Sequence, residues 1–414
     1  MKKDYFYGKL FMMLLCTSLW MSCSDDDDKD PCSASENVNL VDTDKDGIVD
    51  NCDEDDDNDG ILDEADNCPL VPNADQLDID QDGIGDVCDE EVIGRCADDS
   101  FVISFTDPLV ESTVRTELGK STGDITCGDA KTVKVLDFGN AGVSNLEGLE
   151  YFVNLEELNL FGNNVEDISS LASLTKLKFL SLAYNPLANT DLSPLLNMVE
   201  MEAFVSINSQ VQDISALKNM KKLTYLMIFS NAIKDLSPLD GMTELENLMI
   251  SGNPLEGSLK ALGSMKKLEK LSLSNCNLNN DQLEELSNGL LSETLTNLTL
   301  GGNNFNNPEV LENLNLPNLL GLSLYENDIS IVPLLSKLTK LETLDIDESG
   351  VSNIENLSVL TSLKDLSLGK NQIEDVTPLY QLSNLTLLMI YENPIVEVKK
   401  QELREKLPNC YITF

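Results

Sequence analysis

From Val133 to the C-terminus the chain repeats one pattern, and that pattern restricts the possible fold more than any other feature. Leu155-x-x-Leu158-x-Leu160-x-x-Asn163-x-Val165 returns as Leu177, Leu180, Leu182, Asn185 and Leu187. It returns again as Leu223, Leu226, Ile228, Asn231 and Ile233. Units start at 133, 155, 177, 201, 223, 245, 268, 295, 319, 341, 363 and 385. Seven of the eleven intervals are 22 residues long, and the others are 23, 24, 24 and 27. Such a period marks a solenoid, in which each unit buries its apolar side against its neighbours. The fourth and sixth positions alternate with solvent-facing ones, as in a short strand whose apolar side chains turn inward. The expectation is an α/β solenoid with a parallel β-sheet on its concave face. Twelve coils at the strand spacing give an array on the order of 55 Å long.

The ninth position forms a ladder: Ala141, Asn163, Asn185, Ser209, Asn231, Asn253, Cys276, Asn303, Asn327, Ser349, Asn371 and Asn393. An Asn amide there can satisfy backbone groups of the turn in neighbouring coils. Cys276 fills an Asn slot. The unit starting at Met201 fits least well, with Phe204 and Ser206 in the other two apolar slots. The back half reads Ile233-Lys-Asp-Leu-Ser-Pro-Leu239 and Ile373-Glu-Asp-Val-Thr-Pro-Leu379, which favours tight turns or short 3₁₀ stretches. One unit departs: Asp281 to Leu290 reads as a helix with Leu283, Leu286 and Leu290 inward. Repeats with this back half resemble the internalin family of leucine-rich repeat proteins. That resemblance implies a horseshoe with its binding surface on the strand face.

The ends of a solenoid need lids. Before the array, Ser100 to Thr106 alternates enough for a short strand. Asp107-Pro108 is a helix start, Leu109, Val110, Val114 and Leu118 form one apolar face, and Gly119 stops it. Phe105-Thr-Asp-Pro-Leu … Leu118 … Asp124-Ile-Thr126 is similar to the helical N-cap of internalin-type proteins. Residues 96–132 are therefore read as the N-terminal cap, 133–393 as the repeats and 394–414 as the C-terminal cap. That last cap is a short helix ending before Pro408 and a strand over 411–414. Cys96 and Cys127 are a candidate bridge across the first cap.

The chain carries a net charge of −44, unevenly spread. From Ser24 to Arg95 there are 27 Asp or Glu against 3 Lys or Arg. Nucleic acid is excluded as a partner by that sign, and cations are favoured. Asp42, Asp44, Asp46, Gly47, Asp50 and Asp53 form D-x-D-x-D-G-x-x-D-x-x-D. The spacing recurs at Asp55, Asp57, Asp59, Gly60, Asp63 and Asp66, and at Asp78, Asp80, Asp82, Gly83, Asp86 and Asp89. Hard oxygen ligands alternating in a loop of about twelve residues, with Gly at the sharp turn, point to calcium. The seventh positions, Ile48, Ile61 and Ile84, would supply backbone carbonyls. Cys32 to Cys52 and Cys68 to Cys88 are each separated by 20 residues, and two bridges suit a core-poor module in an oxidising compartment. Residues 67–89 closely resemble a thrombospondin type-3 repeat. The resemblance implies calcium, disulfides in the Cys32–Cys52 and Cys68–Cys88 pattern, and a stiff spacer over 32–91.

Lys2, Lys3 and Lys9 precede the apolar run that starts at Leu10, and the run ends in Leu19-Trp-Met-Ser-Cys23. A basic start with a short apolar core is a secretory signal over 1–22. A small residue before Cys resembles a bacterial lipoprotein cleavage site, which implies lipidation of Cys23. The acidic tether 23–31 resembles the surface-export signal of some Gram-negative lipoproteins. The expected location is the outer membrane, with the protein exposed on the cell surface.

At strand-face positions the early coils offer Phe161, Phe179, Tyr184, Val205, Ile207, Tyr225, Met227, Phe229 and Met249. Later coils offer Ser272, Ser274, Thr299, Gly301, Ser323, Asp345, Asp347 and Ser367, with Tyr325, Met389 and Tyr391 as exceptions. Clustered aromatic and apolar residues facing solvent mark a contact surface for a protein or peptide. The ligand-face candidates are Phe161, Phe179, Tyr184, Ile207, Tyr225, Met227, Phe229 and Met249. The chain has no His and no recognisable nucleophile with a base, so no enzyme is expected. The reading is a surface lipoprotein that binds a protein or peptide ligand from a calcium-stabilised stalk. The alternatives are a calcium-dependent adhesin acting by self-association and a glycan-binding accessory protein.

Overall fold

The computed structural model describes residues 41, 43–50, 52–74, 76, 84, 85, 87, 88, 96, 98–303, 305–329, 332, 335 and 337–414. The leader, Cys23 and Cys32 lie outside the described residues.

Each repeat contributes a strand of three residues, too short to stand alone. The strands are β1 (Val135–Asp137), β2 (Glu157–Asn159), β3 (Phe179–Ser181), β4 (Ala203–Val205), β5 (Tyr225–Met227), β6 (Asn247–Met249) and β7 (Lys270–Ser272). They continue as β8 (Asn297–Thr299), β9 (Gly321–Ser323), β10 (Thr343–Asp345), β11 (Asp365–Ser367) and β12 (Leu387–Met389), closed by β13 (Tyr411–Thr413). All pair parallel, in chain order, in one 13-stranded sheet. The central residues stand in register, so Leu158, Leu180, Phe204, Leu226 and Leu248 form one buried row. Burying such a side chain stabilises by about 1.5–3 kcal/mol. The row repeats on every coil, so stacking supplies what the short strands lack.

The backbone turns at the end of each strand by one device. The eighth residue of all twelve repeats, from Asn140 to Glu392, has φ between 50° and 70°. Its N–H still reaches the seventh-position carbonyl of the next coil, as in Tyr184 N to Ile207 O at 2.8 Å and Glu348 N to Gly369 O at 3.0 Å. The chain bends sharply there while the ladder between coils is kept. Gly adopts this conformation at no steric cost, whereas other residues are strained by about 1–2 kcal/mol.

The ninth-position ladder closes the turn. Asn185 Nδ2 donates to Leu160 O of the coil before and Leu182 O of its own, and its Oδ1 accepts from Val165 N. Asn253 and Asn371 repeat the arrangement. Ser209, Ser349 and Cys276 replace only part of it. Their side chains reach back to Leu182 O, Leu324 O and Ile250 O. Their own backbone carbonyls then take the N–H of Leu187, Ile329 and Leu255. The thiol of Cys276 is fully buried, and burial pushes it up to about 11.

On the back, 3₁₀ segments such as Ser193–Leu195, Ser237–Leu239 and Thr377–Gln381 follow an Asp that accepts the N–H two residues on. The unit at 281–290 is only partly helical. Helix α3 (Asn280–Glu285) gives way to a wide turn over Leu286–Leu290, because Gly289 takes φ 89°. Leu283 and Leu286 are buried, and Leu290 is partly so.

Both ends are covered. Helix α1 (Pro108–Glu117) is capped by Asp107, whose carboxylate also accepts from Ser144 N. Short helix α2 (Cys127–Ala130) has a Thr126–Asp129 capping box, and Cys96–Cys127 is a disulfide. The strand expected at 100–106 shortens to a single bridge between Val102 and Thr126, because the segment opposite it enters α2 directly. Ile103 is still buried and Val102 exposed, so the alternation is real while the pairing is brief. Helix α4 (Glu397–Lys406) and β13 form the far lid.

Candidate functional sites

The acidic module has almost no apolar interior. Its described centre is the Cys68–Cys88 disulfide with a polar cluster around it. Asn73 is 2% exposed and donates to Asn67 Oδ1, while Gln76 donates to Asp66. Gly85 packs so closely that an added Cβ would lie 2.5–2.6 Å from Asn67, Asn73 and Cys68.

Two carboxylate clusters stand among the described residues of the module. The side-chain oxygens of Asp44, Asp46 and Asp53 lie within 4.8 Å of one another, and so do those of Asp55, Asp57 and Asp59. Gly47 and Gly60 make the turns at φ 102° and 98°. Ladders of N–H groups hold the carboxylates in place: Asp44 Oδ1 accepts from Asp46 N, Asp46 Oδ1 from Ile48 N, and Asp59 Oδ1 from Ile61 N. Asp44 Oδ2, Asp55 Oδ1, Asp57 Oδ2 and Asp66 Oδ2 are buried with no hydrogen-bond partner among the described residues. Burial, then the charges of Asp59, Asp66 and Asp55, push Asp57 up to about 6. Buried ionised oxygens left without donors are costly unless a cation meets them. An all-oxygen donor set suits a hard ion, and these clusters can hold one.

Other expected ligands also make hydrogen bonds within the module. Asp50 accepts from Thr43 N and Oγ1, and Asp63 accepts from Asp56 N. Asp66 Oδ1 accepts from Cys68 N. The Ile48 and Ile84 side chains are exposed, and Ile61 is half-buried. Asp42, Asp78, Asp80, Asp82, Asp86 and Asp89 lie outside the described residues. Cys52 is disulfide-bonded. Asp56 escaped the sequence reading, since it stands outside the D-x-D-x-D register. Its Oδ1 is buried with no hydrogen-bond partner among the described residues, and burial together with Asp63, Asp50, Asp53 and Asp44 raises its pKa.

The strand face is the second site. The register aligns Val205, Met227 and Met249 on neighbouring strands. Phe179 and Tyr225 share another row with Ala203 between them. Ile207 and Phe229 follow two residues beyond the shared Val205/Met227 row. All are half-buried by one another and still open to solvent. Phe161 and Tyr184 meet edge-on at 5.2 Å between ring centroids and are 37% and 46% exposed. Tyr184 is no strand residue: it occupies the left-handed corner at φ 58°.

Residues 153–197 match the leucine rich repeats family, in two copies, and residues 41–76 match the thrombospondin type 3 repeat family. The array is a leucine-rich-repeat solenoid. It is similar to an internalin (inlF) from Listeria monocytogenes at 27% identity and TM-score 0.62, covering 74% of this chain and 95% of that one. It is also similar to a leucine-rich-repeat protein from Leptospira interrogans at 25% identity and TM-score 0.53, covering 64% and 74% of the two chains. A chain of the LRIM1/APL1C complex shares the fold alone, at 18% identity and TM-score 0.51 over 68% and 50% of the two chains. No curated protein matches the chain by sequence. Among the described residues, no helix is long and apolar enough to cross a membrane.

Proposed function

We propose that the leucine-rich repeats bind a protein or peptide ligand on their strand face. The observation that carries this reading is the contiguous apolar band over β3 to β6, with Tyr184 and Phe161 at its edge. Such a band costs solubility unless a partner covers it, and aromatic side chains supply most of the affinity when one does. In the same reading the acidic module is a stalk that calcium orders, held by the carboxylate oxygens left without donors. The basic and apolar leader and Cys23 support lipid anchoring at the outer membrane, and the acidic run after Cys23 supports export to the cell surface.

The test uses full-length protein captured on a support in calcium, with surface partners cross-linked and identified. Tyr225→Ala combined with Phe229→Ala should lower capture of the identified partner by about 1000-fold, since each residue is of the kind that contributes about 2 kcal/mol or more. Urea unfolding checks that the coils remain intact. Unchanged capture by the folded double variant sinks the placement. Self-association in place of a foreign partner would instead favour the adhesin.

A further inference from the structure

The far half of the strand face is built from different material. Across β8 to β12 it encloses a cavity of about 300 Å³ whose lining includes Thr299, Gly321, Ser323, Asp345, Ser367 and Met389. Gly321 in the lining leaves room for Asn297 and Thr343, which lie 2.6 and 2.9 Å from where its Cβ would be. Tyr391 lies across Gly369, where an added Cβ would meet the ring at 2.4 Å. In the row that Met227 and Met249 occupy in the early coils, the cavity has the smaller Thr299 and Ser323.

Three carboxylates line the cavity, Asp345, Asp347 and Asp365, and they differ in how fully they are used; Asp365 Oδ1 accepts from Thr386 Oγ1 at 3.1 Å. Asp347 is saturated. Its Oδ1 accepts from Ser367 Oγ at 2.7 Å and Gly369 N at 2.6 Å, and its Oδ2 accepts from the Tyr391 hydroxyl at 3.0 Å. It fixes the tyrosine and has little left to offer. Asp345 accepts only from Ser323 Oγ and Asp347 N, both at 3.2 Å. An ionised carboxylate has about four lone-pair positions, so Asp345 retains acceptor capacity. It is half-buried, and no Lys or Arg stands in the lining to neutralise it. A partly desolvated carboxylate with unspent acceptors, set among hydroxyl groups beside a fixed tyrosine, calls for a cation rich in donors.

We propose that this cavity receives a guanidinium group, the arginine side chain of a polypeptide ligand. Asp345 takes its charge, and the Thr299 and Ser323 hydroxyls accept at its edges. Guanidinium suits the place better than ammonium. It is planar, less strongly hydrated, and presents five donors in a fixed fork. The inference rests on the strand face being the binding surface, yet it uses coils that the aromatic band does not reach.

The experiment titrates full-length protein in calcium with N-acetyl-arginine amide, followed by saturation-transfer NMR. The uncharged citrulline analogue and the lysine analogue serve as comparisons. Arginine should bind at least about tenfold more tightly than citrulline, as a charge-assisted pair does over a neutral one. Asp345→Asn should lose at least about tenfold. This variant should fold, because it removes a half-buried charge beside Asp347. Thr299→Val, which keeps shape and removes one acceptor, gives a second and smaller loss of about threefold on the same scale. Equal binding of citrulline, equal binding of the lysine analogue, or wild-type affinity in both folded variants overturns the proposal. Tyr225→Ala should leave arginine binding unchanged. The two readings therefore fail separately: loss of arginine selectivity spares the aromatic band, and wild-type capture by the aromatic double variant spares this cavity.

Discussion

The acidic module and the repeat array solve the same problem in opposite ways. In the array, apolar rows carry the stability and polar groups are paired: Asn185, Asn253 and Asn371 each tie at least three backbone groups. In the module, carboxylates are drawn together with buried oxygens left over, and little apolar surface offsets their repulsion. The difference shows that order in one part is intrinsic to the chain, while order in the other depends on what the solution contains. Chelation gives the largest expected effect. With calcium held at ~100 times its dissociation constant, each site stabilises by about 2.7 kcal/mol. Its removal should lower hydrogen-exchange protection over 41–76 by about 100-fold per site and leave 133–393 unchanged. Equal loss in both regions, or none in either, would break the contrast.

Within the array, the next effect tests whether polar pairing matters as much as the apolar rows. Asn253→Ala strands Ile228 O, Ile250 O and Ile233 N together. The expected loss is about 3 kcal/mol, read from the urea midpoint. Asn253→Ser should cost about 1 kcal/mol, because a hydroxyl restores one donor and a backbone carbonyl can take the orphaned N–H. Ser209 and Ser349 already do this in their own coils. Equal losses for Ala and Ser would show that the carbonyl exchange does not occur.

Much of this was legible because it repeats. The Leu spacing placed every strand, since side chains one residue out of step would put the core into water. The ladder at position nine was legible for the same reason. The left-handed corner one residue earlier was not: Tyr184, Ser230, Glu326 and Lys370 share a conformation without sharing chemistry. The carbonyl exchange at Ser209, Cys276 and Ser349 also leaves no trace in residue type. The strand at 100–106 and the helix at 281–290 were read from local pattern, and tertiary context shortened both. In the module, spacing found Asp44, Asp46, Asp53, Asp55, Asp57 and Asp59. It missed Asp56, whose burial is decided by how two loops fold together. On the strand face, residue identity located the aromatic band, whereas the cavity beside Asp345 depends on glycines whose neighbours only the register supplies.

Asp107 sharpens the contrast between carboxylates. Burial alone would raise its pKa, but the N–H groups of Ser144, Leu109 and Asn145 outweigh it and hold the group below the usual carboxylate range. A group depressed in the folded state stabilises above its unfolded pKa and loses that contribution as pH falls through the folded value. Wild type should therefore lose this contribution below about pH 4. Asp107→Asn keeps the cap to Leu109 but sets a donor against Ser144 N. It should cost about 1.5 kcal/mol at pH 7 and almost nothing near pH 2. A pH-independent difference between the two proteins would mean that the charge is not what Ser144 recognises.

The smallest effect comes from the one coil where the array resembles the module. Ser206 occupies an apolar slot, is 1% exposed, and its hydroxyl has no partner among the described residues. The neighbouring coils hold Leu182 and Ile228 in that position. A buried hydroxyl without a partner costs about 1–3 kcal/mol, against little lost packing when it is removed. Ser206→Ala should therefore raise stability by about 1 kcal/mol, seen as a later urea midpoint with the slope unchanged. Asn185→Ala, with intact partners to lose, should move the midpoint the other way. If Ser206→Ala is destabilising, the hydroxyl has found a partner such as a buried water, and the array tolerates no orphaned polar group at all.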